Sequence, residues 1–222
     1  MSEKQVRNQN IGLLGGSFNP VHIGHLRLGL EMLEQAGLDR VQFVPAYIPP
    51  HKDSKRVLPF DMRRDMLESS IQGWSSLEVN CMEKNRPGPS YTLDTLESYV
   101  QEYPGQEPFF ILGDGDLLTM PNWHRGREIP YLSNLLVIGR EGEDAEIAEF
   151  ISGFWESFQV QDYIWQVKKG REIRYLSVPR IDVSSSMIRA RWLAGKSIDW
   201  LVPESVQKYL RARSGEVQGI WE

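Results

Sequence analysis

Along most of the chain, short apolar runs alternate with longer stretches whose apolar residues recur at helical spacing. Ile11, Leu13 and Leu14 predict a first buried strand that breaks at Gly15 and Gly16, and 26–33 has the spacing of a helix that ends near Gly37. Residues 41–46 read as a second strand. An amphipathic helix is predicted over 60–71, with Pro59 near its start and Gly73 after its end. A third strand follows at 77–82 and a third helix at 92–100. Residues 109–113 are apolar throughout, as in a strand buried on both faces, and 135–139 predict a fifth strand. This alternation implies right-handed βαβ crossovers and an α/β fold, a Rossmann-like doubly wound parallel sheet. Ligands of such sheets sit beyond the carboxyl ends of the strands.

The pattern loosens over 141–175. Its first half is acidic, it carries Trp155 and Trp165, and it fits a helix followed by one or two irregular strands. We read it as a variable insertion whose tryptophans pack rather than bind. Two closing C-terminal helices, 185–193 and 203–211, are predicted within 184–212, and the whole of 1–222 reads as a single domain.

Composition narrows the chemistry. Cys81 is the only cysteine, which rules out an internal disulfide and fits a reducing cytoplasm. No apolar stretch reaches the length of a membrane span, and the polar start at 2–5 is unlike a signal peptide. A net charge of −5 without a basic stripe argues against nucleic acid as a partner. An anionic ligand would therefore need a local positive pocket.

The stretch Gly15-Gly16-Ser17-Phe18-Asn19-Pro20-Val21-His22-Ile23-Gly24-His25 offers one. A strand that breaks at two glycines and re-enters a helix lets backbone approach a phosphate, and the helix N–H groups and dipole favour the anion. His22 and His25, three apart, share one face of the first helical turn, and Gly24 leaves room for a bulky ligand. On glycines alone a plain strand–turn–helix linker with incidental histidines would be the better reading. The whole block, however, resembles the signature of the nucleotidylyltransferase superfamily, with its (His/Thr)-x-Gly-His core. A second block, Val183-Ser184-Ser185-Ser186-Met187-Ile188-Arg189, resembles the superfamily's Ile-Ser-Ser-Thr-x-Ile-Arg motif, which binds the triphosphate. Read structurally, the serines are ordinary helix caps. With Arg189 on the same face they offer hydroxyls, N–H groups and a guanidinium fork to one anion.

Segments between the two blocks resemble one branch, the bacterial nicotinate-nucleotide adenylyltransferases. Ile48-Pro49-Pro50-His51-Lys52 matches its Pro-Pro-His-Lys, although a stiff proline loop with a solvated lysine explains the same residues. Pro89-Ser90-Tyr91-Thr92-Leu93-Asp94-Thr95-Leu96 matches Pro-Ser-Tyr-Thr-x-x-Thr-Leu, where Ser90 or Thr92 could equally cap a helix. Trp123 matches the tryptophan that stacks on the nicotinate ring. Arg140 matches an arginine near the nucleotide, or is a surface residue. One departure stands out: the family shows Ile-Gly-x-Asp, whereas this chain has Leu112-Gly113-Asp114-Gly115-Asp116, with Gly115 where the aspartate belongs. Either Asp114 or Asp116 takes over its contact, or the contact is lost.

The resemblance implies transfer of the adenylyl group of ATP to nicotinate mononucleotide, giving deamido-NAD and pyrophosphate in NAD synthesis. Gly15, Gly16, Ser17, Phe18, His22, His25, Ser184, Ser185, Ser186 and Arg189 would hold ATP, with His22, His25 and Arg189 catalytic. Lys52, Tyr91, Thr92, Trp123 and Asp114 would hold the mononucleotide. Mg²⁺ is expected with ATP, held through phosphates and waters, because no carboxylate cage is evident. His22 and His25 lack the nearby third ligand that zinc would want. A nicotinamide-preferring enzyme, a pantetheine-phosphate adenylyltransferase and a silent nucleotide-binding regulator are the rival readings. Oligomeric state, a homo-oligomer included, stays open.

Overall fold

The computed structural model describes residues 9–50, 54–139, 144–179 and 181–222. In chain order, β1 (Ile11–Gly16), α1 (Ile23–Gln35), β2 (Arg40–Pro45), α2 (Phe60–Ser70), β3 (Leu77–Val79) and α3 (Thr92–Glu102) lead to β4 (Phe109–Gly113). Then come α4 (Asp114–Thr119), α5 (Ile129–Leu132), β5 (Asn134–Gly139), α6 (Asp144–Phe154), β6 (Ser157–Gln161), β7 (Ile164–Val167) and β8 (Glu172–Ser177). Three helices close the chain: α7 (Ser185–Leu193), α8 (Glu204–Ala212) and α9 (Ser214–Trp221).

The eight strands among the described residues share one sheet in the order β3-β2-β1-β4-β5-β8-β7-β6. From β3 to β8 neighbours are parallel, and β7 and β6 add an antiparallel hairpin. The sheet is therefore mixed, not wholly parallel as expected. β8 runs parallel to β5, so 141–175 is more than an insertion, since its last strand completes the central sheet. Trp155 and Trp165 are buried, as their packing role requires.

Adjacent strand residues point to opposite faces, which splits the core in two. Leu14, Phe43, Ile111 and Leu136 face α1, α2 and the closing helices. Leu13, Phe110, Leu112 and Leu135 face α3 and α6. The predicted third strand is shorter than expected because Asn80 Oδ1 accepts the Met82 N–H at 2.9 Å and turns the chain into a 3-10 turn at Met82–Asn85. Strand order reverses between β1 and β4, and the crevice at their carboxyl ends is where the sequence blocks converge.

Candidate active site

α1 starts at the mouth of this crevice. The His22 and His25 rings stack at 3.6 Å, and the His22 backbone N–H donates to His25 Nδ1 at 3.2 Å. An Nδ1 that accepts this bond places the proton of a neutral His25 on Nε2, which is then a donor. Burial lowers the His22 imidazole to about 4. His25 is held well below its ordinary value by burial and then by neighbouring His22. Both are neutral at pH 7. His22 Nδ1 is buried without a hydrogen-bond partner among the described residues. A side chain at Gly24 would meet the His22 ring and Val183 Cγ1 at 3.0–3.3 Å, so glycine permits this close approach.

The loop between β1 and α1 is held from several sides. Phe18 sits at φ 45°, with its ring buried and set edge-on to His25 at 4.9 Å. Its ring is thus a support beneath His25, and only its backbone can reach a nucleotide. A Cβ on Gly16 would strike that ring at 3.0 Å. Arg63, on α2 and buried, donates from Nη1 to the Ser17 carbonyl at 2.8 Å and from Nε to the Leu58 carbonyl at 2.9 Å. Burial lowers its guanidinium to about 10, so it stays charged. Nothing in the local pattern singled it out.

From the other side, α7 clamps the same loop. Ser185 Oγ donates to the Pro20 carbonyl at 2.8 Å, and Arg189 Nη1 to the Asn19 carbonyl at 2.8 Å. Arg189 Nη2 also reaches Ser186 Oγ at 3.1 Å, while Ser184 Oγ caps α7 by accepting the Met187 N–H. The serines are thus engaged within the protein, and Arg189 keeps the remaining donors of its fork.

Two cavities flank the α1 start. The larger, about 530 Å³, runs past Gly15, Gly16 and Ser17 to Tyr91, Thr92, Asp116, Trp123 and His124. The smaller, about 290 Å³, is bounded by His22, Gly24, Asp114, Gly139, Ile181 and Val183 among others. They share His25, Leu28 and Gly113. In the larger one no side chain caps α3, so its first N–H donors are left to the cavity. Ser90 instead ties loops together: its N–H donates to the Ile48 carbonyl at 2.9 Å and its Oγ accepts the Ile48 N–H at 3.1 Å. Trp123 is fixed by its indole N–H to Thr119 Oγ1 at 3.1 Å.

α4 separates the two aspartates. Residues two apart on a helix do not face the same way. Asp116 borders the larger cavity with Trp123, and Asp114, which accepts the Gly115 N–H at 2.6 Å, borders the smaller. Asp114, expected beside Tyr91, Thr92 and Trp123, thus lines the other cavity. His124 and Glu83, which also line the larger cavity, escaped the sequence reading. His124 stacks on Tyr91 at 4.5 Å, and buried Glu83 accepts from Thr95 Oγ1 at 2.5 Å and from the Tyr47 N–H at 3.2 Å. Lys52 and Arg140 lie outside the described residues. Among the described residues no three His, Cys, Asp or Glu side chains converge as a metal site, and no helix is long and apolar enough to cross a membrane.

The chain is similar to known proteins over most of its length. The cytidylyltransferase-like family model matches residues 13–191. The nicotinate-nucleotide adenylyltransferase of Bacillus subtilis is 34% identical over 96% of this chain and 99% of its own length. A probable nicotinate-nucleotide adenylyltransferase of Geobacter sulfurreducens is 37% identical over 90% of this chain and 94% of its own. Among solved structures, the nicotinic acid mononucleotide adenylyltransferase of Plasmodium falciparum complexed with NaAD superposes with a TM-score of 0.71. It is 18% identical and covers 93% of this chain and 96% of its own, a likeness of fold.

Proposed function

Since the chain belongs to the cytidylyltransferase-like family, among the nicotinate-nucleotide adenylyltransferases, we infer that it joins ATP to nicotinate mononucleotide, giving deamido-NAD and pyrophosphate. One observation carries this reading: two nucleotide-sized cavities meet at His25. A dinucleotide is two nucleotides joined through their phosphates, and such a junction suits its pyrophosphate link.

The smaller cavity, with Ile138, Ile181 and Val183 as apolar walls, takes adenosine. The larger takes the mononucleotide, its ring against Trp123 and its carboxylate at the uncapped start of α3. The 5′-phosphate of the mononucleotide is already ionised at neutral pH and needs no general base. Its oxygen attacks the α-phosphorus, the bond to the β-phosphate oxygen breaks, and pyrophosphate leaves with the electron pair. Catalysis is then positioning plus charge stabilisation. His25 donates from Nε2 to the transferring phosphate. The buried, unpartnered His22 Nδ1 and the free donors of Arg189 complete the anion site. Mg²⁺ would enter as a companion of ATP, held by phosphates and waters, where it would screen charge.

The test is pyrophosphate release with ATP and, in turn, nicotinate mononucleotide, nicotinamide mononucleotide and phosphopantetheine. Release with the first far above the others is the expected result. A preference for either of the others would replace this reading with the corresponding branch.

A further inference from the structure

Asn19 is buried, yet every polar atom that its side chain and carbonyl offer is engaged. Its carbonyl accepts from Arg189, and its Nδ2 donates to the Arg56 carbonyl at 2.8 Å. Its Oδ1 accepts twice at 3.2 Å, from the Leu58 N–H and from the indole N–H of Trp221. Trp221 lies on α9, 202 residues away in sequence, buried and edge-on to Trp192 of α7 at 6.1 Å.

One residue of the phosphate loop thus joins three chain segments, two of which carry guanidiniums. Arg189 comes from α7. Arg56 comes from the 3-10 turn at Ser54–Arg56, with its side chain exposed and without a hydrogen bond or ion pair among the described residues. Like charges repel, and Arg56 lowers the Arg189 guanidinium, second only to burial. No described carboxylate is paired with either guanidinium. Two cations brought to one loop in this way suit an anion more highly charged than a single phosphate monoester.

We propose that Trp221 is a positioning residue for the polyphosphate of ATP: through Asn19 it fixes the Asn19–Pro20 end of the loop, to which the Arg189 guanidinium is bonded, and the backbone of the turn that carries Arg56. The proposal rests on the reading of the smaller cavity and α1 start as the ATP side. It differs from a packing role for Trp221 in what it affects. A packing residue would weaken both substrates together. A residue acting through Asn19 weakens ATP alone, because nothing in this network touches Tyr91, Thr92 or Trp123.

Trp221→Phe keeps the ring and removes the N–H. ATP affinity, measured by calorimetry without a second substrate, should fall about tenfold, the scale of one lost buried hydrogen bond in a preorganised site. The KM for nicotinate mononucleotide should change less than twofold, and the melting temperature by only a few degrees. In an Asn19→Ala background the same change should cost nothing further, because its acceptor is gone. Unchanged ATP affinity in Trp221→Phe, or equal weakening of both substrates, would overturn the proposal, and the single variant decides if Asn19→Ala does not fold. Because ATP binding is read alone, a different acceptor in the turnover assay would overturn the functional reading and leave this result standing.

Discussion

The proposed phosphate junction and the proposed ring pocket lie side by side in one crevice but are built in opposite ways. At the junction, His22, Gly24 and His25 occupy one helical turn, with Phe18 beneath and buried Arg63 and Asn19 behind, so little there can move. The ring pocket draws Ser17, Glu83, Tyr91, Asp116 and Trp123 from separate segments and leaves Asp116 exposed. Adenylyl transfer needs fixed donors, whereas ring recognition needs a surface that admits and releases a flat ligand. The first is satisfied by a contiguous motif and the second by convergent loops.

That contrast can be tested from its strongest point outward. His25→Ala removes the Nε2–H donor and should lower turnover by about two to four orders of magnitude with the fold intact by circular dichroism. Wild-type turnover in the folded variant would move the chemistry away from the junction. Next in size is substrate choice. A pocket that offers N–H donors at the α3 start suits a carboxylate and opposes the NH₂ of an amide, so kcat/KM should favour the nicotinate form by about a hundredfold or more. Near-equal values would remove the carboxylate argument.

Arg189→Lys should weaken ATP use by about one to two orders of magnitude, since an ammonium cannot hold the Asn19 carbonyl, Ser186 and a phosphate with fork geometry. Mononucleotide binding should stay nearly unchanged in calorimetry, and the reverse pattern would exchange the two anion sites. Acid should loosen the junction by a similar amount. His22 titrates near 6.5 when unfolded and near 4 when folded, so its contribution to stability is complete above pH 6.5 and is lost as pH falls toward 4. By pH 5 that is about 2 kcal/mol from His22 alone. Denaturant titrations of wild type and His22→Gln should converge as the pH drops. A constant gap between pH 7 and 5 would contradict a buried neutral imidazole. The smallest effect is expected in the ring pocket, where Trp123→Ala should reduce kcat/KM by about tenfold for both pyridine mononucleotides, the scale of one lost ring contact. Loss of ATP affinity in this variant would blur the division between the two regions.

The same contrast explains what was legible in the sequence. The first turn of α1, the α7 start and the strands of the parallel core follow from local spacing and glycine placement. Asp114 and Asp116 could not be told apart because only the helix that follows Gly113 sends them to different cavities. Arg63 looks like any arginine on an amphipathic helix until its guanidinium is seen on the Ser17 carbonyl. One or two irregular strands were expected in 141–175, but irregular alternation concealed the pairing of β6 with β7, whose exposed Phe158 and Val160 read as poorly as a strand as they pack. α9 carries Gly215 and Gly219, which weaken a helix in isolation. Burial of Val217 and Trp221 stabilises it instead.

The long reach of that last helix bears on how the protein fails under heat. A contact spanning 202 residues forms only when the fold is nearly complete, and α9 is a short helix held by few buried side chains. Local opening at such an element costs less than opening the sheet. Warming should therefore release α9 first, with the sheet still folded and the ring pocket still intact. Catalytic function would then be lost at a lower temperature than secondary structure, and saturating ATP would bring the two temperatures together.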